Sequence, residues 1–190
     1  MESLAEFRES GALLDGHFLL SSGLHSPQYL QCAIALQESA MALKYGRKIA
    51  EAFEAAEIDT VASPAIGGLV IGFATAAALG KRFIWTERDN GVMTIRRGFQ
   101  VFSGEKILVV EDVITTGGST RECIDALTQQ GGAIVGAASI VDRSNGRADV
   151  GVPRISLISL DVPTYEPAEC PLCAEGQETV KPGSRTVATA

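Results

Sequence analysis

Hydrophobic residues in the middle of the chain alternate between short continuous runs and stretches with helical spacing. Runs typical of buried strands occur at 58–63, 81–86, 107–110, 133–141 and 155–160. Between them, apolar residues recur at helical spacing, as at Tyr45, Ile49 and Phe53, which predicts helices near 39–57, 69–79 and 119–130. Because strands and helices alternate, the pattern predicts an α/β fold with a parallel, doubly wound sheet flanked by helices.

The two ends of the chain and one central segment lack this alternation. Residues 17–29 are rich in Ser, Gly and Pro, which favours a loop or hairpin. Residues 87–91 are predicted to form a charged turn, after which 93–97 returns as a strand. Beyond residue 160 the chain contains Pro and Cys and then becomes small and polar. We therefore predict one domain over 1–190, with a small N-terminal segment (1–38), an α/β core (39–160) and a C-terminal tail (161–190).

Composition narrows the classes of partner. The chain has 190 residues, 46% of them hydrophobic, and a net charge of −7. An acidic chain lacks the basic surface that broad nucleic-acid binding needs. No apolar stretch reaches the roughly 18 residues of a membrane-spanning helix, and no basic region precedes an apolar one at the N-terminus. We expect a cytoplasmic protein with no nucleic-acid or membrane partner.

The segment 107–120 joins a buried strand, two carboxylates and a glycine turn. Glu111 and Asp112 fall at the carboxyl end of the strand, where open α/β sheets bind ligands. The turn at 115–118 opens a helix, whose first N–H groups and dipole hold a phosphate without a lysine. Ionised carboxylates only accept hydrogen bonds, so they suit the hydroxyl groups of a ribose. The segment predicts a site for a phosphorylated ribose, and the turn at 64–68 predicts a second backbone cradle after another strand.

The four cysteines, at positions 32, 123, 170 and 173, are expected to be reduced thiols. Cys170 and Cys173 form the only tight pair, which is half of a zinc knuckle. No second Cys or His pair follows, so we expect that one chain cannot close a four-ligand site. The favoured interpretation is a turn with two thiols and no metal, and the alternative is a structural metal shared between subunits. His17 and His25 have no neighbour in sequence that forms a nucleophilic pair.

The residues from Val109 to Thr120 resemble the diphosphoribosyl-binding signature of type I phosphoribosyltransferases. The resemblance implies a Rossmann-like parallel sheet flanked by helices, with a small N-terminal hood. It also implies that the turn holds the 5′-phosphate of phosphoribosyl diphosphate while the two acids meet the ribose 2′- and 3′-hydroxyls. The phosphoribosyl diphosphate contacts implied in this way are Arg88, Glu111, Asp112, Val113, Ile114, Thr115, Thr116, Gly117, Gly118, Ser119 and Thr120.

The segment 18–29 resembles the N-terminal segment of orotate phosphoribosyltransferases, which covers the pyrimidine in that family. The resemblance implies that Tyr29, Leu30, Thr115 and Arg143 bind orotate. An arginine suits this base because its planar guanidinium makes two parallel hydrogen bonds to a carboxylate, and orotate carries one on its ring.

Three positions depart from the orotate family's pattern. Many members carry lysine where this chain has Ser21 and Gly67, and a longer basic loop where it has 87–91. Arg88 is the best match to the basic residues of that loop, with Arg96 and Arg97 nearby. In the family this loop reaches into the neighbouring subunit's site, which implies a homodimer.

The resemblance implies transfer of ribose 5-phosphate from phosphoribosyl diphosphate to orotate, with Mg²⁺ as cofactor, giving orotidine 5′-phosphate and pyrophosphate in pyrimidine biosynthesis. Arg88, Glu111 and Asp112 would be the catalytic groups. Two alternatives stay open: a phosphoribosyltransferase for another base, such as a purine, and a regulator that senses phosphoribosyl diphosphate without catalysis.

Overall fold

The computed structural model describes residues 4–20 and 22–181. In chain order, its elements are α1 (Ala5–Glu9), β1 (Leu13–Leu19), β2 (His25–Leu30), α2 (Cys32–Leu36), α3 (Ser39–Ala52), β3 (Thr60–Pro64), α4 (Gly68–Leu79), β4 (Arg82–Asp89), β5 (Val92–Ile95), β6 (Lys106–Ile114), α5 (Gly118–Gln129), β7 (Ala133–Asp142), β8 (Arg154–Ser159), a 3-10 turn (Pro167–Glu169) and α6 (Pro171–Ala174).

The described residues fall into two compact units. The sheet unit comprises Leu36–Leu160. The hairpin unit comprises residues 4–20, 22–35 and 161–181, so it combines the segment predicted as a hood with the C-terminal tail. Ser21, compared above with a lysine of related enzymes, lies outside the described residues.

The sheet unit is built on six strands in the order β5-β4-β3-β6-β7-β8. All neighbouring pairs are parallel except β4 and β5, which form an antiparallel hairpin. The run from Ile107 to Val110 is fully buried, as expected for a central strand covered on both faces. The predicted parallel α/β sheet is confirmed.

Helices α3 and α4 pack closely because a glycine lies at their contact. A Cβ atom added to Gly46 of α3 would lie 2.6 Å from the backbone carbonyl carbon of Ala74 in α4. Helix α4 is apolar on nearly all sides, which suits a helix packed against both α3 and the sheet. It still exposes Val70 and Phe73, whose side chains are 47% and 63% accessible.

The charged turn predicted at 87–91 is shorter in the structure, and that prediction is wrong in extent. Strand β4 continues to Asp89, with Arg88 opposite Met93 of β5, and the turn is reduced to Asn90 and Gly91. Both turn residues have positive φ, of 50° and 86°, as a two-residue hairpin loop requires. Hydrogen bonding to β5 therefore draws the charged residues into the strand.

The hairpin unit is centred on the antiparallel pair β1 and β2. The tail pairs with both strands: the N–H of Leu19 donates to the carbonyl of Val180 at 2.9 Å, and the N–H of His25 donates to the carbonyl of Tyr165, also at 2.9 Å. The N-terminal hairpin and the described part of the C-terminal tail therefore form one unit. Within the described residues, no helix is both long enough and apolar enough to cross a bilayer.

Candidate active site

The site predicted at 107–120 lies where the sheet changes its winding direction. Helix α4 connects β3 to β4 on one side, whereas α5 connects β6 to β7 on the other. Strand β3 pairs with β6 only from Thr60 to Ala62, opposite Ile107 to Val109. Beyond that point the carboxyl ends of β3 and β6 separate, and open α/β sheets bind ligands in such a crevice.

Glu111 and Asp112 stand at this crevice, within the last part of β6. The backbone N–H of Asp112 donates to Oε1 of Glu111 at 3.1 Å, and that of Val113 donates to Oδ1 of Asp112 at 2.8 Å. Burial raises the pKa of Glu111 well above its ordinary range, and the neighbouring Asp112 carboxylate raises it further. Burial also raises the pKa of Asp112. A buried carboxyl beside a partly buried one favours a ligand that brings hydrogen-bond donors.

The glycine turn after β3 lies directly against these acids. A Cβ atom added to Gly67 would lie 2.7 Å from Oδ1 of Asp112, and one added to Gly68 would lie 3.0 Å from Oε1 of Glu111. The φ of Gly67 is −55°, an ordinary helical value, so lack of space rather than backbone conformation favours glycine there. The turn after β3 and the acids of β6 thus meet at one site, and a side chain at Gly67 would have to displace the Asp112 carboxylate.

The predicted phosphate loop runs from the end of β6 into α5. Gly117 has φ of 80° and, as the N-cap residue, makes no side-chain cap. The N–H of the first helical residue, Gly118, donates to Oγ1 of Thr116 at 3.4 Å. A Cβ atom at Gly117 would also lie 2.9 Å from Cγ1 of Val150. Thr115, Thr116 and Ser119 are exposed, and Thr120 is buried. The first turn of α5 therefore keeps N–H groups available to an anion.

Two residues of the predicted loop set belong to the sheet instead of the turn. Val113 and Ile114 are the last residues of β6 and pair with Val141 and Asp142 of β7. The side chain of Ile114 is buried in the core. These two residues therefore act on the site through their backbone, which fixes where the loop begins.

Arg143 follows β7 and is tied to the end of β6. Its N–H donates to the carbonyl of Ile114 at 2.8 Å, one residue before Thr115. The preceding Asp142 is buried, which opposes its ionisation, but hydrogen bonds from Ser144 and Gly146 and the guanidinium of Arg154 lower its pKa. The Asp142 carboxylate therefore fixes the turn that carries Arg143.

Arg88 projects from β4 toward α5. Its Nη2 lies 2.6 Å from Oε2 of Glu122, and its Nη1 donates to the carbonyl of Gly91 at 2.9 Å. Arg97 pairs with Glu87 at 3.0 Å in the same hairpin. The hairpin's basic side chains are therefore engaged with carboxylates of their own unit.

Comparisons with known proteins agree with this geometry. The family model of the phosphoribosyl transferase domain matches residues 35–162. The chain is 51% identical over 181 residues to an orotate phosphoribosyltransferase of Caldicellulosiruptor saccharolyticus, covering 95% of each chain. The protein belongs to the orotate phosphoribosyltransferase family.

Solved structures of the same family have the same fold. The crystal structure of orotate phosphoribosyltransferase from Aeropyrum pernix has a TM-score of 0.67 and 27% sequence identity, covering 83% of this chain and 94% of that chain. The Mycobacterium tuberculosis orotate phosphoribosyltransferase in complex with 5-phospho-α-D-ribosyl 1-diphosphate has a TM-score of 0.59 and 26% identity, covering 69% of this chain and 80% of that chain.

The two residues predicted to cover the base lie in the hairpin unit. Tyr29 belongs to β2, and its ring centre is 5.7 Å from that of Phe18. Leu30 ends the same strand and is buried. Their contact with orotate stays a prediction from family resemblance.

A cavity with a volume of about 810 Å³ lies at the amino-terminal ends of the strands, opposite the acids. Asp59 and Lys106, at the amino-terminal ends of β3 and β6, contribute to its lining. Because ligands of open α/β sheets bind at the carboxyl ends of strands, this surface is not the transferase site.

One expectation from the cysteine pattern is wrong. We expected that one chain could not supply four metal ligands, but both histidines of the chain, His17 and His25, lie with Cys170 and Cys173 in the hairpin unit. One ligand atom from each of the four lies within 4.8 Å of the others. The second pair precedes the Cys pair by about 150 residues and follows no zinc-knuckle spacing. The only signal in the sequence is that a chain with two histidines has both in one short hairpin.

Proposed function

We propose that the protein transfers ribose 5-phosphate from phosphoribosyl diphosphate to orotate, forming orotidine 5′-phosphate and pyrophosphate in pyrimidine biosynthesis. One observation carries the proposal: two adjacent carboxyls, Glu111 buried and Asp112 partly buried, share the crevice between β3 and β6 with the N-terminus of helix α5. The 51% identity to a full-length orotate phosphoribosyltransferase supports orotate as the acceptor.

In this proposal, phosphoribosyl diphosphate is held at its 5′-phosphate and at its ribose hydroxyls. The residues from Thr115 to Thr120 bind the 5′-phosphate through backbone N–H groups of the first turn of α5 and through exposed hydroxyls. Glu111 and Asp112 accept hydrogen bonds from the ribose 2′- and 3′-hydroxyls. Each hydroxyl brings a donor to a carboxyl whose pKa is raised, so ribose binding favours the ionised form of the pair.

Bond cleavage at the anomeric carbon separates charge. The ribose becomes oxocarbenium-like while pyrophosphate gains negative charge, so groups that meet these charges stabilise the transition state more than the ground state. Glu111 and Asp112 face the ribose. Arg88 supplies a cation for the leaving pyrophosphate, for which its guanidinium has to exchange Glu122 for the substrate.

The site also fits Mg²⁺, because its acidic side chains, which lie against the glycine turn after β3, offer the oxygen atoms that this ion prefers as ligands. The ion would be held mainly by diphosphate and ribose oxygens and by water, with Glu111 and Asp112 reaching it through the ribose hydroxyls. Bound there, it would neutralise charge on the leaving pyrophosphate.

For the acceptor, the proposal places orotate beside Thr115 and Arg143. These residues follow the neighbouring strands β6 and β7, whose ends are joined by the hydrogen bond from Arg143 to Ile114. The guanidinium of Arg143 binds the ring carboxylate in a bidentate manner. The resemblance adds Tyr29 and Leu30 to this set.

We also propose a cytoplasmic homodimer. Ile66 is 83% exposed and Phe73 of α4 63% exposed. Large apolar side chains exposed on a helix and on the turn before it favour an interface between subunits. None of the four cysteines, all of which lie in the described residues, forms a disulfide, which suits the reducing cytoplasm.

Pyrophosphate release tests the proposed reaction. Purified protein is mixed with phosphoribosyl diphosphate, Mg²⁺ and either orotate or a purine base. Release with orotate and none with adenine, guanine or hypoxanthine is expected. Release with a purine alone would favour the other transferase, whereas binding of phosphoribosyl diphosphate without release with any base would favour a non-catalytic sensor.

A further inference from the structure

The hairpin unit contains a four-residue cluster that the transferase reaction does not use. His17 lies on β1 and His25 on β2, while Cys170 directly precedes α6 and Cys173 lies within it. His17, His25 and Cys170 are buried, with exposures of 4%, 7% and 3%, and Cys173 is exposed. The fold therefore gathers two imidazoles and two thiols from opposite ends of the chain.

The distances within the cluster are close to those of a tetrahedral metal site. Sγ of Cys170 and Sγ of Cys173 lie 3.4 Å and 3.7 Å from Nε2 of His17, and Sγ of Cys173 lies 3.3 Å from Nδ1 of His25. With Zn–N bonds of about 2.0 Å and Zn–S bonds of about 2.3 Å, a tetrahedral zinc separates nitrogen from sulfur by about 3.5 Å. The sulfur and nitrogen atoms thus need little movement to share one ion.

The two ring nitrogens face each other at 2.9 Å. A tetrahedral zinc separates two nitrogens by about 3.3 Å, so the imidazoles need to open by about 0.4 Å. Such a shift is within reach of side chains held on neighbouring strands of one hairpin.

The far side of His17 is already arranged for a metal ligand. Its Nδ1 lies 2.9 Å from the backbone carbonyl oxygen of Gln177, which only accepts hydrogen bonds. The proton is therefore on Nδ1, and the lone pair of Nε2 points into the cluster. A backbone carbonyl in this role fixes the tautomer and orientation of metal-binding histidines.

Hydrogen bonds alone do not account for the cluster. The single lone pair of Nε2 in His17 faces three groups, namely Nδ1 of His25 and the thiols of Cys170 and Cys173. One such lone pair accepts one good hydrogen bond. A cation at the centre, in contrast, is met by all four ligand atoms at once.

The small size of the hairpin unit also favours stabilisation by a metal. It is built on a two-stranded hairpin, and such hairpins are marginally stable alone in water. Small units with few buried side chains are commonly stabilised by a structural metal or by disulfides. The ligands would link both strands of the hairpin to the C-terminal tail.

We propose that His17, His25, Cys170 and Cys173 bind one structural zinc ion within a single chain. Two thiolates and two imidazoles in a tetrahedral arrangement favour zinc, and four protein ligands leave no open position for catalysis. The ion fastens the C-terminal tail to the N-terminal hairpin. The proposal does not depend on which base the transferase site uses.

Metal content of the intact protein tests the site. The full chain is purified under reducing conditions from zinc-supplemented cells and its zinc is measured by mass spectrometry. We expect one zinc per chain. Cys173→Ser and His25→Gln are each expected to lower zinc retention at least about tenfold after dialysis against a chelator. Cys32→Ala, which removes another buried cysteine of the same unit, is the matched control and keeps one zinc.

A second measurement keeps the test decisive if the variants fail to fold. Wild-type protein is stripped of metal with a chelator under reducing conditions, and its melting temperature is followed before and after zinc is returned. A fall on removal and recovery on return support the site. Replacement by Co²⁺ is expected to give the thiolate charge-transfer and tetrahedral d–d bands, weakened in Cys173→Ser.

Three results would overturn the proposal. The first is wild-type protein that takes up no zinc even after reduction. The second is zinc retention in Cys173→Ser and His25→Gln equal to that of the wild type. The third is a disulfide between Cys170 and Cys173 in protein kept reducing, seen by intact mass, because the pair would then be a redox couple. Zinc content is measured without turnover, so failure here is distinct from failure of the transferase proposal.

Discussion

Gly67 and Asp112 come from different strand ends, and the glycine lies where a Cβ atom would be 2.7 Å from the aspartate's Oδ1. The glycine turn after β3 and the acids of β6 therefore form one surface. This contact ties the position of the cradle to the position of an acid proposed to bind the ribose.

Replacement of Gly67 tests that contact. Gly67→Ala is expected to destabilise the protein by about 1–3 kcal/mol, because the added methyl group displaces the Asp112 carboxylate. In the Asp112→Ala background the same replacement is expected to change the stability little, since the clashing atoms are gone. Urea unfolding of the four proteins in this double-mutant cycle measures the coupling. Equal destabilisation in both backgrounds would show that the strain lies elsewhere.

Because Glu111 is buried, its replacement is expected to increase stability and to abolish activity. Glu111→Gln is expected to raise the free energy of unfolding by about 1–3 kcal/mol at pH 8, because it removes a poorly solvated charge next to Asp112. It is expected to abolish turnover through loss of the ribose contact. Asp125→Asn is the control: it removes a negative charge from an exposed position on α5 and should change neither the stability nor the turnover.

The pH dependence of this effect has a definite sign. The pKa of Glu111 is raised above 4.5 in the folded protein, so the folded state holds its proton to higher pH than the unfolded state does. Wild-type stability is therefore expected to fall as pH rises from about 4.5 through the raised pKa. The advantage of Glu111→Gln should appear over the same range and vanish below it. An advantage independent of pH would contradict the explanation.

Arg88 is expected to act mainly on the rate. Arg88→Ala should lower kcat about a hundredfold, as loss of a charge-stabilising donor does, while KM for orotate changes by less than about threefold. Arg47→Ala removes an exposed arginine of α3 at the opposite edge of the sheet and serves as control. An unchanged kcat in Arg88→Ala would indicate that Arg96 or Arg97 supplies the cation for the leaving pyrophosphate.

Arg143 is expected to act on the acceptor. Arg143→Ala should raise KM for orotate at least about tenfold, the loss expected for a charge-assisted hydrogen bond, with KM for phosphoribosyl diphosphate nearly unchanged. Arg147→Ala removes an exposed arginine of the same turn and serves as the matched control. If both substrates lose affinity equally, the replacement has disturbed the turn held by Asp142 rather than a contact with orotate.

The exposed apolar face of α4 predicts the effect of a new charge on assembly. Phe73→Glu is expected to convert a homodimer into monomers, because the glutamate would be buried unpaired at the interface. Size-exclusion chromatography with light scattering measures the mass. Phe102→Glu changes another exposed phenylalanine, which precedes β6 at the amino-terminal edge, and should leave the dimer intact. A wild-type protein that is monomeric would refute the proposed interface.

Much of the fold followed from local pattern. The strands of the parallel sheet and the helices between them were predicted in the right order, because continuous apolar runs and helical spacing are local properties. Two ends were misplaced: α3 ends at Ala52 instead of 57, and β6 runs to Ile114 instead of 110. The extent of β4 was not predictable in this way. Whether Glu87, Arg88 and Asp89 form a turn or a strand depends on the hydrogen bonds that β5 offers.

The sequence by itself determined the chemistry of the donor site, because the acids and the phosphate loop are contiguous in the chain and share one strand and one helix start. The tertiary structure alone decided what meets that site and what lies apart from it. It placed Gly67 and Gly68 against the acids, and it joined His17 and His25 to a cysteine pair some 150 residues away. Such contacts depend on strand order and on pairing between distant segments, so a local sequence pattern cannot predict them.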